Sequence, residues 1–198
     1  MDVETGGPIE GAIVVARWEL EGYGGNFAGW LFVAEAVTDH DGVFHFPSWG
    51  PLKSPAESGM QTRMSPNVPD ISIFKPYYLV SDEGCCSNTG YLDEKWNFGS
   101  GPTRRVSWAD RRAFALSSFR GTLAKYADYL EASIPTNGPD CAFMSTPHVF
   151  AAAVLEERQL RTRYHLAVPH QRLEYFEEMA IRERCGRTVA SVIGEHIK

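Results

Sequence analysis

The chain lacks any long uninterrupted apolar run, so it holds no transmembrane helix. It also lacks a block of Lys and Arg. With 25 acidic residues against 19 Lys/Arg and a net charge of -6, it does not fit a nucleic-acid binder held by phosphate contacts. The opening MDVETGGP has neither a basic n-region nor an apolar h-region, so no signal peptide is visible. Nucleophile motifs are missing: there is no G-x-S-x-G elbow, no S-x-x-K and no Gly-rich phosphate loop before a helix. GYGGN at 22–26 resembles such a loop only superficially, because it joins two expected strands and lacks Lys-Ser/Thr. No cysteine pair has C-x-x-C spacing and no histidines form H-x-x-x-H or H-E-x-x-H, which leaves a metal site poorly supported. These absences leave no catalytic residue, metal or cofactor to name, and they point away from an enzyme.

What is present is an ordinary globular composition, 43% hydrophobic and 22% charged, over 198 residues. That length suits one domain or two small ones. The modest net charge hides an asymmetry. Residues 1–98 carry 5 Lys/Arg against 14 Asp/Glu, and residues 99–198 carry 14 against 11. The first half also holds 12 of the 18 Gly and four of the five Trp. Gly, aromatic and β-branched residues favour strands and tight turns. The Ala-, Leu-, Glu- and Arg-rich second half favours helices.

The periodicities agree with the split. In Ile9–Leu20, Val14, Ala16, Trp18 and Leu20 alternate with Val15, Arg17 and Glu19; the first set is expected inward and the second outward. Gly29–Thr38 is expected as the next strand. Asp39–Gly42 reads as a turn into a strand over Val43–Phe46, and Asp70–Val80 as one further strand with Pro76 at an edge or bulge. Residues 47–69 read as a long loop. The later pattern predicts helices over about 108–132, opened by a capping box at Ser107–Asp110, and over about 147–164 behind Thr146-Pro147. A helix after Pro169 and a short one capped by Thr188 follow. Phe150, Ala153, Val154 and Leu160 are expected inward, as are Leu173, Phe176 and Ala180 on one face and Val189, Val192 and Ile193 on the last helix.

Three segments occur in a telling order: D-V-E-T-G-G-P-I-E-G-A-I-V-V from Asp2, T-D-H-D-G-V-F-H-F from Thr38, and F-K-P-Y-Y from Phe74. As a set they resemble the carboxypeptidase regulatory-like domain, a transthyretin-like β-sandwich. The resemblance covers about the first eighty residues. It implies an α+β chain: an antiparallel transthyretin-like or Ig-like β-sandwich with its connector over 1–106, and an α-helical C-terminal extension over 107–198 packed on it. Two departures stand out. The family's K-P-G-Y reads Lys75-Pro76-Tyr77-Tyr78, and the family's strand before the D-x-x-T turn would precede Met1. The expectation is therefore a longer natural precursor bearing that strand and an export or lipoprotein signal. The resemblance implies a periplasmic or cell-envelope location, with the cytoplasm as the alternative. It implies no peptidase activity. 5-Hydroxyisourate hydrolase shares the fold, but its terminal Tyr-Arg-Gly-Ser is absent here.

The expected role is a non-catalytic binding or structural module engaging a protein or glycan partner. The aromatics Tyr23, Trp49, Tyr77, Tyr78 and Trp96, in or beside expected loops, are its candidate binding residues; plugging the sandwich ends is the plainer role for them. One alternative is a toxin-neutralising or secretion-associated partner that binds through the acidic half. The other is a metal-dependent hydrolase in which His148, His165 and His170 converge with Glu174. Asp39 and Asp41 supply too few carboxylates for a good calcium site. In an exported chain, an even number of cysteines allows a disulfide from Cys85 or Cys86 to Cys141, with buried free thiols the alternative.

Overall fold

A computed structural model describes residues 1–48, 62–64, 69–80, 114–133, 141, 144–165, 172–182 and 185–196. The fold is α+β: antiparallel sheets come first and four helices follow among the described residues. The chain divides into two compact units, Met1–Ser118 and Phe119–Lys198.

In the first unit, β1 (Ile13–Glu21) is the centre of a sheet. It pairs antiparallel with β2 (Phe27–Val37) on one side, and on the other with β4 (Asp70–Phe74) and the short β3 (Arg63–Met64). A second sheet pairs β5 (Tyr78–Val80) with β6 (Leu116–Ser118). Val14, Ala16, Trp18, Ile71 and Ile73 form the core with Ile9, Ala12, Ala34 and Leu116. The other face of β1 was expected in solvent. Instead Val15 is only 1% exposed and Ile13 and Phe74 are buried, so the sheet is covered on both sides at this end.

The three sequence segments behind the resemblance interlock at this end of the sheet. Thr38 is buried, and its Oγ1 accepts from the Ala12 N–H at 2.8 Å and donates to the Ile9 carbonyl at 2.7 Å. Gly42 has φ 70°, and a Cβ there would lie 3.1 Å from Pro8 and Ile9, so only glycine lets the two turns touch. Lys75 Nζ donates to the Glu10 carbonyl. Asp2 accepts from the Glu4 and Thr5 N–H groups and from the Tyr78 hydroxyl, which hold its carboxyl below the usual range. Met1–Val3 bridges Leu116 in parallel, a pairing the sequence did not suggest.

Several expectations are corrected. Val43–Phe46 is not a strand, although Phe44 and Phe46 still pack together on the core while His45 is exposed. The expected strand Asp70–Val80 is two strands in different sheets, broken by a turn at Lys75–Tyr78 that Pro76 opens. Residues 116–118 are β6 rather than the middle of a helix, because pairing with β5 and with the chain start outweighs local helical spacing. The capping box at Ser107–Asp110 lies outside the described residues.

The second unit holds α1 (Leu123–Ser133), α2 (Pro147–Tyr164), α3 (Arg172–Arg182) and α4 (Val189–His196). The inward residues expected on α2 and α4 are buried, as are Phe176 and Ala180 of α3; the Leu173 side chain lies outside those described. Thr188 Oγ1 caps α4 at the Ser191 N–H, and the Glu177 carboxylate accepts from the Val189 and Ala190 N–H groups. Cys141 is bonded to Cys185. The expected pairing of Cys141 with Cys85 or Cys86 is therefore replaced; Cys85 and Cys86 lie outside the described residues.

Candidate functional site

The aromatic candidates do not form one platform. Tyr23 sits in the turn between β1 and β2 and is 90% exposed. Tyr77 and Tyr78 follow β4, whose Phe74 lies opposite Ile13 at the other end of β1. The nine residues of β1 separate the two groups by roughly 27 Å at 3.4 Å per residue. Tyr78 is half-buried with its hydroxyl on Asp2, a structural contact. Trp49 and Trp96 lie outside the described residues.

A different aromatic pair emerges near Tyr23. Residues three apart on a regular strand point to opposite sides. On β2 the register slips twice: Trp18 is opposite Phe32, Glu19 opposite Trp30, and Glu21 opposite Phe27. These bulges send Phe32 inward against Trp18, with ring centroids 5.5 Å apart. They place Phe27 and Trp30 together on the other face, edge to face at 4.9 Å. Gly29 in the slip has φ 112°, a conformation a side chain would resist. Phe27 is 51% exposed and Trp30 half-buried. The strand expected from Gly29 begins instead at Phe27, so Gly29 lies inside it, where a glycine marks a bulge.

Partners opposite each other in a sheet share a face. The face of Phe27 and Trp30 therefore also carries Glu19, Glu21, Glu35 and Asp70, against Arg17 and Arg63. Arg17 donates to Ser72 at 2.9 Å and lies 3.6 Å from Asp70. Arg63 reaches Glu21 at 3.1 Å. Glu19 has no cation within ion-pair distance among the described residues. Burial, then the charges of Glu21 and Asp70, push its carboxyl above the ordinary range. An aromatic pair beside the Glu19 carboxylate is chemistry suited to a cationic side chain.

The histidine cluster does not assemble as expected. His148 lies in the first turn of α2 and His165 just past its end, roughly 25 Å apart at 1.5 Å per residue. His170 is outside the described residues. His148 instead meets His196 of α4, ring nitrogens 3.2 Å apart. On the Asp39–Gly42 turn, Asp39, His40 and Asp41 lie close together and exposed, but Asp39 Oδ1 already accepts from the Asp41 and Val43 N–H groups. No family model matches the chain, and no curated protein or solved structure matches it either.

Proposed function

We propose that this chain is a non-catalytic binding module that engages a protein partner through the β1–β2 hairpin face. The observation that carries this reading is the Phe27–Trp30 pair, turned outward by two bulges beside Glu19 and Glu21. Bulges that re-aim side chains recur at interaction sites, and exposed aromatics anchor interfaces. The interlocked turns at the opposite end of the sheet support the transthyretin-like sandwich reading and the resemblance to carboxypeptidase regulatory-like domains. The Cys141–Cys185 bond supports an oxidising compartment such as the periplasm or cell envelope.

The acidic surroundings favour one specific version, a basic partner of the toxin-neutralising or secretion-associated kind. Affinity capture from the native organism tests it, with wild type beside a Phe27→Ser/Glu19→Gln variant. The expected result is a basic protein retained by wild type, released at high salt and not retained by the variant. Equal recovery by both forms would overturn the reading.

A further inference from the structure

We propose that His148 and His196 together bind one divalent transition-metal ion of the imidazole-preferring class, such as zinc, nickel or copper. This site lies wholly within the helical unit and is independent of the hairpin face. His148 sits in the first turn of α2 and His196 in the last turn of α4, with Nε2 of the first 3.2 Å from Nδ1 of the second. Two nitrogens bound to one tetrahedral ion at 2.0–2.1 Å stand about 3.3 Å apart. In the structure these two nitrogens share a hydrogen bond, and their spacing matches that of two neighbouring ligands, so an ion binding there would replace the shared proton. The rings meet edge to face, with centroids 4.4 Å apart and planes at 67°.

The pair is also held in place. Val189, Val192 and Ile193 bury one side of α4, and Glu177 and Thr188 fix its start. The Cys141–Cys185 bond ties the segment before α2 to the segment before α4. Arg187 and Glu195 engage each other. Imidazole ligands suit zinc, copper and nickel over calcium or magnesium.

The test is titration of the untagged full chain with zinc chloride by calorimetry, with cobalt chloride absorption as a second readout of tetrahedral nitrogen ligation. One equivalent of zinc should bind to wild type and raise its Tm. His148→Gln and His196→Gln should each lose both effects while keeping the wild-type circular dichroism spectrum. The two substitutions lie on different helices, so a variant that loses helix leaves the other to decide. His40→Gln should bind like wild type. Absence of saturable binding, binding that survives either helical substitution, or loss of binding in His40→Gln would each overturn the site.

Discussion

The two units hold their buried polar groups differently. In Met1–Ser118 a few side chains reach across long stretches of chain, Thr38 to the Ile9 and Ala12 backbone, Lys75 to the Glu10 carbonyl and Tyr78 to the Asp2 carboxylate. Among the described residues of Phe119–Lys198 most side-chain bonds are more local, and two buried oxygens there, Thr146 Oγ1 and Glu156 Oε2, have no hydrogen-bond partner. Thr146 occupies the N-cap of α2 but makes no cap bond. Burial raises the Glu156 carboxyl pKa, which the Tyr126 hydroxyl only partly offsets. The helical unit makes up for this with a covalent link. A small unit buries too little surface to tolerate such defects unaided, and a cross-link restrains its unfolded chain.

The sharpest way to break this comparison is to remove the link. Cys141–Cys185 joins residues 44 apart in sequence, and closing a loop of that length is worth about 4 kcal/mol in the chain-entropy account. Cys141→Ala/Cys185→Ala should therefore lower the unfolding transition of the helical unit by about that amount. Calorimetry of the whole chain should show the β unit's transition unmoved. One transition shifting as a whole would mean that the units share their stability, and the contrast would fall.

The next effect belongs to the β unit. Thr38→Val keeps the shape but strands the Ala12 N–H and the Ile9 carbonyl in a buried position. Leaving two buried groups unpaired costs about 2–4 kcal/mol. Urea unfolding followed by tryptophan fluorescence reads it, since Trp18 and Trp30 both lie in this unit. A loss below about 1 kcal/mol would show that the Thr38 bonds are not what joins the turns.

Much of the helical unit was legible because its signals are local. Thr146-Pro147 marked the start of α2, Thr188 that of α4, and the apolar spacing of both matched what is buried. The β unit was legible in its turns and in β1, β2 and β4, but not where pairing is long-range. Leu116 fits a helical pattern until Tyr78–Val80 and Met1–Val3 compete for its backbone. The hairpin face was hidden for a related reason. Strict alternation cannot place Phe27 and Trp30 on one side, and only the register of β2 against β1 reveals the slips. The His148–His196 meeting has no sequence signature, because 48 residues and a packed helix pair separate the rings.

The smallest expected effect tests a single backbone position where the chain departs from the pattern it resembles. At the Lys75–Tyr78 turn, the Tyr78 N–H donates to the Lys75 carbonyl at 3.0 Å, Pro76 takes the second position and Tyr77 the third. That third position needs a positive φ, and Tyr77 has φ 62° where the resemblance would place glycine. Holding a side chain in this left-handed region costs about 1 kcal/mol. Tyr77 is 39% exposed, so part of its side chain is covered. Tyr77→Ala keeps the strain and loses that side chain's packing, whereas Tyr77→Gly loses both. The difference between the two variants therefore isolates the backbone. Glycine should come out more stable than alanine by about 0.5–1 kcal/mol, the relief of strain less the extra freedom of glycine in the unfolded chain. Equal stability in urea would mean that the turn relaxes when the ring is removed, so that the side chain's packing and not the turn sets this conformation. In that case this end of the sheet owes its turn to side-chain packing more than to a fixed backbone, and the contrast between the units narrows at that one point.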